Sequence, residues 1–175
     1  MAPPSEFDLK KITFPKILDE NTTIANFTCN KKEIDQFIHE QAQNFQNQQL
    51  GITYLFSFES DLIGFATLCM GHVNKQKMLL EDRLQKSISS YPALLIGQLG
   101  VSVKYQNMGV GKYICNFCFS LAVRFSQRVG CRFLVVNALE SAVDFYENYG
   151  FTLAPDQEKQ KQKLMFLDIT KRKHL

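Results

Sequence analysis

The sequence predicts an α/β (α+β) chain, and three stretches carry that prediction. Residues 98–112 read as an apolar strand running into a glycine-bearing loop that opens a helix. Residues 52–58 and 62–70 read as the arms of a hairpin, rich in aromatic and β-branched side chains, across Glu59-Ser60-Asp61. Residues 132–138, 141–149 and 164–169 then alternate strand, helix and strand. At 175 residues, 45% apolar and with 15 Phe, the chain is read as one domain over 1–175, able to bury a core without Trp.

In chain order, residues 7–14 alternate loosely and are expected as a first strand, ended by Pro15. Asn30-Lys31-Lys32-Glu33 fits a capping box, with Asn30 as N-cap and Glu33 reaching back. Ile34, Phe37, Ile38, Ala42 and Phe45 follow at helical spacing to about residue 48, and Gly51 is expected to stop that helix. After the hairpin, residues 77–87 predict a shorter amphipathic helix. Tyr91-Pro92 marks its exit, because a residue before proline is pushed out of helical space.

Leu95, Ile96, Leu99 and Val101 form the central strand. Tyr113, Ile114, Phe117, Leu121 and Phe125 then mark a helix to about residue 129, capped by Gly130. Gly150 caps the helix over 141–149, a strand begins at 151–153, and 155–163 is a polar connection into the last strand.

Composition narrows the function classes. The apolar fraction argues against disorder, and no apolar run reaches membrane-spanning length. The first residues lack the apolar core of a signal peptide, so a soluble, cytoplasmic protein without a membrane partner is expected. The net charge of +3 is mildly basic. Its lysine pairs, such as Lys31-Lys32 and Lys75 with Lys77, are solvated faces unless they converge into a polyanion footprint. Cys115 and Cys118 lie inside a predicted helix and read as packing residues, while His39, His72 and His174 are scattered. No metal site is indicated.

The stretch with most chemistry is Gln106-Asn107-Met108-Gly109-Val110-Gly111. A glycine-punctuated turn at a helix N-terminus offers backbone N–H groups and the positive end of the helix dipole, which suits a phosphate or pyrophosphate. Lys104 and Lys112 flank it. A purely structural tight turn explains two glycines equally well. Tyr113 stands where a P-loop needs its magnesium-binding hydroxyl, so nucleotide hydrolysis is not indicated.

Gln106-x-x-Gly109-x-Gly111 resembles the Gln/Arg-x-x-Gly-x-Gly/Ala signature of GNAT-superfamily N-acetyltransferases. Phe145-Tyr146-Glu147-Asn148-Tyr149-Gly150-Phe151 is similar to that family's Phe-Tyr-x-x-x-Gly-Phe segment, and the resemblance runs from about residue 12 to 168. It implies the GNAT fold, a mixed central β-sheet flanked by helices, and acetyl-CoA as cofactor. The implied cofactor-binding residues are Leu99, Gly100 and Val101 along the pantetheine arm, where a backbone N–H would polarise the thioester carbonyl. Gln106, Asn107, Met108, Gly109, Val110, Gly111 and Lys112 would surround the pyrophosphate. Asn137 and Ser141 lie near the cofactor arm in the family layout; Asn137 either bonds the pantetheine or caps the next helix. Tyr146 stands at the family's tyrosine position and would donate its phenolic proton to the coenzyme A thiolate, although the residues alone equally allow an aromatic core side chain. Tyr149 is expected to pack.

Three further matches resemble the GNAT toxins of toxin–antitoxin pairs. They are Phe27-x-Cys29 with Ile34-Asp35-x-Phe37-Ile38, the run Pro92-Ala93-Leu94-x-x-Gly97-Gln98-Leu99-Gly100-Val101, and Val135-Val136-Asn137-Ala138-Leu139. In that group the enzyme acetylates the α-amino group of aminoacyl-tRNA and blocks translation. The resemblance implies aminoacyl-tRNA as acceptor, with an antitoxin protein and a second copy of the chain (a homodimer) as partners. Gln98 departs from the group's Arg and Gly100 from its Ala.

The chemistry agrees with such an acceptor. A free α-amino group titrates near 7.7–8.0 and an esterified one lower, so much of it is neutral at pH 7 without a general base. A lysine amine near 10.4 would need one; no candidate base stands out near the strand ends, and Glu81, Asp82 and Glu140 are the acids to consider. Two rival readings are a GNAT acting on a small amine or a protein N-terminus, marked by an acidic groove, and a non-catalytic acyl-CoA-binding sensor, against which Tyr146 argues.

Overall fold

The computed structural model describes residues 7–22, 24, 26–78, 80–84 and 87–171. Seven strands form one mixed sheet: β1 Lys16–Ile17, β2 Ile52–Phe58, β3 Asp61–Asn74, β4 Ser90–Val101, β5 Phe133–Leu139, β6 Thr152–Leu153 and β7 Gln162–Asp168. Their order across it is β1-β2-β3-β4-β5-β7-β6. The helices are α1 Lys32–Gln36, α2 Ala42–Asn47, α3 Val110–Ser126 and α4 Val143–Tyr149. This is the expected mixed sheet with flanking helices. No helix among the described residues is long and apolar enough to cross a membrane.

The chain divides into two compact units, Met1–Cys69 with Gly97–Asn116, and Met70–Ile96 with Phe117–Leu175. In the first, the hairpin of β2 and β3 runs from Ile52↔Leu68 to Phe58↔Asp61, with a bulge at Phe56/Ser57. Its core gathers Phe27, Cys29, Phe37, Ile38, Ala42, Leu55 and Phe65. In the second, β4 pairs parallel with β5 over Ala93–Ile96 and Phe133–Val136, and β5 pairs antiparallel with β7. Val73, Met78, Tyr91, Ala93, Phe133, Val135 and Phe166 fill that core. Cys115 and Cys118, the expected packing residues, are fully buried on α3.

Several local expectations fail for identifiable reasons. Residues 7–14 are not a strand: Asp8 accepts the Lys10 N–H at 2.9 Å and caps a 3-10 turn at Leu9–Lys11, so the strand starts only after Pro15. Asn30 is not the N-cap. It sits at φ 60, Lys31 takes the cap position, and the reaching side chain is Asp35, which accepts the Cys29 N–H at 2.8 Å and the Thr28 hydroxyl at 2.7 Å. The helix is interrupted by a π-turn at Phe37–Gln41 and ends at Asn47. Gln49, at φ 58, makes the left-handed exit assigned to Gly51, where a Cβ would lie 2.9 Å from the Phe45 ring.

Among the described residues of 77–87 there is no amphipathic helix; 3-10 turns stand at Lys75–Lys77 and Leu80–Asp82, and positions 79, 85 and 86 lie outside the described residues. Tertiary partners claim the backbone there. Arg83 donates to the Met78 carbonyl at 3.2 Å, and the Tyr91 hydroxyl accepts the Leu84 N–H at 3.0 Å. Tyr91 and Pro92 belong instead to β4, with Pro92 near its first residue, where the missing N–H is tolerated. The long helix stops at Ser126, short of Gly130.

Candidate active site

The loop between β4 and α3 lies in the first unit. A 3-10 turn at Val103–Tyr105 leads into residues 106–109, where Asn107 at φ 62 and Gly109 at φ 84 are left-handed. The first ladder bond of α3 runs from the Tyr113 N–H to the Gly109 carbonyl at 3.0 Å. Amides at 109–112 therefore precede that ladder, and no acid stands in its first turn. Such a cradle fits a pyrophosphate. A Cβ at Gly109 would stand 3.1 Å from Leu9 Cδ1 in a conformation L side chains rarely adopt.

Gln106 does its work through one atom. Its Nε2 donates to the Cys29 carbonyl at 3.1 Å and to the Val101 carbonyl at 3.0 Å. The loop is thereby tied to the end of β4 and to the segment before α1, which Asp35 in turn holds. Burial alone would raise the Asp35 pKa, but the Cys29 N–H and the Thr28 hydroxyl outweigh it and hold it low. Burial first, then Asp35, pushes the Cys29 thiol up to about 12, so it stays protonated.

Lys104 reaches Asp61 at 3.8 Å on the surface, and Tyr105 donates to the same carboxylate at 2.8 Å. Lys112 is exposed, while Val110 is buried and turns its side chain to the core. Gly100 has a packing reason: a Cβ there would lie 2.7 Å from the Phe65 ring and 3.2 Å from the Phe27 ring. The two aromatic side chains occupy the space an alanine methyl would take.

In the second unit, Tyr146 lies on α4 and is buried at 5% exposure. Gly150, at φ 114, ends the helix: the Phe151 N–H bonds the Tyr146 carbonyl at 2.9 Å and the Gly150 N–H bonds Glu147 at 2.9 Å. This is a Schellman closure, and it returns Phe151 onto the Tyr146 ring, 5.2 Å centroid to centroid. Phe145 packs on the same ring at 5.0 Å. The glycine and both phenylalanines of the segment thus fix one tyrosine. Tyr149 is buried against Phe151, as expected of a packing residue.

A groove of about 400 Å³ opens in the same unit. Side-chain amides dominate it: Asn74, Gln76, Asn137, Gln157, Gln160 and Gln162, with His72, one cation (Lys77) and one carboxylate (Asp156). Asn137 lines the groove and does not cap, since Leu139 and Ala142 hold the N-cap positions that follow. Ser141 is exposed in the turn before α4. Among the acids considered as bases, Glu140 is paired with Lys163 at 3.1 Å, Glu81 is exposed, and the side chain of Asp82 lies outside the described residues.

The structure thus places Leu99–Lys112 in one unit and Asn137, Ser141 and Tyr146 in the other. Sequence reasoning missed the groove; the signal was the glutamine repetition inside what read as a polar connection. Among the described residues no group of three His, Cys, Asp or Glu could hold a metal ion.

Comparisons with known proteins follow the same lines. A family model described as "Acetyltransferase (GNAT) domain" matches residues 25–173. No curated protein matches by sequence. Among solved structures, a tyrosine-to-phenylalanine mutant of KacT superposes with a TM-score of 0.81 at 21% identity, covering 92% of this chain and 96% of that one. AtaT complexed with acetyl-methionyl-tRNAfMet gives 0.81 at 19% identity, over 91% and 96%. An AtaT mutant bound to the antitoxin AtaR C-terminus and acetyl-CoA gives 0.74 at 18%, over 92% and 95%. With its family signature cradled at the start of α3 and the match spanning nearly the whole chain, the protein belongs to the GNAT acetyltransferases.

Proposed function

We propose that the chain transfers the acetyl group of acetyl-CoA to the α-amino group of aminoacyl-tRNA. The observation that carries the acceptor class is the groove: amide-rich, with its one carboxylate matched by one cation. A polyamine or a basic peptide would be drawn by an excess of carboxylates, which this lining lacks. Amides pair with uncharged hydrogen-bonding groups, such as those of a terminal ribose, base and aminoacyl ester. Similarity to AtaT, solved with an acetylated aminoacyl-tRNA, supports the same reading. An antitoxin and a second copy of the chain are the partners it implies.

Acetyl-CoA, when bound, supplies the activated thioester. The protein's part is to hold and to move a proton. Amides at residues 109–112 and the Lys112 ammonium would hold the pyrophosphate, with Gln106, Asn107 and Met108 shaping the turn. Leu99, Gly100 and Val101 would line the pantetheine arm, and Asn137 or Ser141 would bond it. Tyr146 would give its phenolic proton to the departing sulfur and take one back through solvent. A substantial fraction of the α-amino group is already neutral near pH 7, so no dedicated base is required.

The test is thiol release from acetyl-CoA with charged tRNA, uncharged tRNA, a polyamine or a peptide as acceptor. Turnover with charged tRNA alone supports the reading. Turnover with the polyamine or peptide instead contradicts it and favours a small-amine or N-terminal acetyltransferase.

A further inference from the structure

Lys163 is a lysine at 8% exposure on β7, where an unpaired ammonium would be costly. Its three donors match three acceptors. Nζ lies 2.8 Å from the Gln157 carbonyl, 3.3 Å from the Glu158 carbonyl and 3.1 Å from the Glu140 carboxylate. The two carbonyls belong to the connection between β6 and β7, which supplies Pro155, Asp156, Gln157 and Gln160 to one wall of the groove. Glu140 opens the turn that leads into α4, the helix of Tyr146. Gln157 fastens the same wall from its other side, donating to the Pro155 carbonyl at 3.0 Å and accepting the Leu164 N–H at 3.1 Å.

We infer that Lys163 is a positioning residue for the acceptor, a clasp that fastens the 155–160 wall of the groove to β7. This rests on the groove being the acceptor site. A wall of glutamines on a connection without regular structure has many side-chain and backbone states, and an acceptor must select one of them. The clasp removes most of that choice before binding. Glu140 is 76% exposed, so its ion pair adds little, and the two carbonyl bonds carry the effect. The Lys163 bonds reach the groove's connection and Glu140, so its loss should weaken the acceptor and spare the cofactor.

Lys163→Met and Lys163→Arg test it, with amide hydrogen exchange across 155–161 read beside steady-state kinetics. In Lys163→Met, exchange there should quicken and the acceptor KM should rise about tenfold, the weight of one or two such bonds. The acetyl-CoA KM should stay within about twofold, and Lys163→Arg, which keeps the donors, should restore most of the acceptor KM. An unchanged acceptor KM with faster exchange overturns the inference, as does unchanged exchange. Both KM values rising together would mark a general loss of structure and overturn it too. If Lys163→Met does not fold, Lys163→Gln, which keeps a donor, is read in the same way. The kinetics use whichever amine the wild type acetylates, so failure with charged tRNA sinks the tRNA reading without touching the clasp; a wild type that acetylates no amine overturns both.

Discussion

The two hydrogen bonds of Gln106 give the sharpest handle on the cofactor loop. Both are donated by Nε2, to the Cys29 carbonyl and the Val101 carbonyl, so the residue acts here purely as a donor. That explains why the signature accepts glutamine or arginine at this position, since arginine is all donor. Removing both bonds in Gln106→Ala loses roughly 1 kcal/mol each, about 2 kcal/mol in all. If that energy holds the loop in its binding geometry, acetyl-CoA affinity falls about 30-fold, at 1.4 kcal/mol per tenfold. Gln106→Glu keeps the size but points carboxylate oxygens at two carbonyl oxygens, and should be worse than alanine. Gln106→Arg should stay within a few-fold of wild type. Calorimetric titration with acetyl-CoA reads the series directly. A glutamate variant that binds as tightly as wild type, or an arginine variant as weak as alanine, would refute the donor argument.

Other outcomes follow from the same geometry. Gly109→Val should raise the acetyl-CoA KM about tenfold, because φ 84 costs a β-carbon residue about 1–2 kcal/mol and the new side chain meets Leu9; an unaltered KM counts against the phosphate cradle. Asp168 bonds Arg132 at 2.6 Å and accepts the N–H and hydroxyl of Thr170. Burial would raise its pKa, but the Thr170 bonds and Arg132 outweigh burial and lower it. A carboxyl held low stabilises the fold above its unfolded pKa of about 3.9, and that stability is lost as pH falls through the lower folded value. Asp168→Asn should therefore cost about 2 kcal/mol in urea denaturation at pH 7, and the gap to wild type should close below about pH 4. Cys29, protonated up to about pH 12 and buried, should escape alkylation in the native protein at neutral pH; early labelling there, followed by mass spectrometry, would contradict its burial.

The sequence showed what is local. Gly109 and Gly150 are punctuation that only left-handed backbone explains, and both are left-handed. The apolar runs of β4 and β5 needed no context, and Phe145 and Phe151, spaced about Tyr146 in the sequence, both pack on its ring. What stayed hidden was supplied by side-chain partners that periodicity does not record, some a turn or two away and some far along the chain. Asn30 and Glu33 had the form of a capping box, yet Asp35 won because Thr28 and Cys29 sit within its reach. Residues 77–87 had helical spacing, but Arg83 and Tyr91 hold that backbone in shorter turns. The partners of Gln106 and Lys163 are 77 and 23 residues away at the farthest, counting Cys29 and Glu140, and no periodicity records such pairs. Gly100 departs from the toxin pattern's Ala, and two phenylalanine rings fill the place a methyl would take.

The most direct test of the central claim is product identification after incubation with labelled acetyl-CoA and a pool of charged tRNA, wild type beside Tyr146→Phe. Label is expected on charged tRNA that mild alkali releases as an N-acetyl amino acid, with Tyr146→Phe slower by about 10²-fold at unchanged acetyl-CoA affinity. Label that stays on tRNA after the ester is cleaved, or a Tyr146→Phe rate equal to wild type, would contradict it.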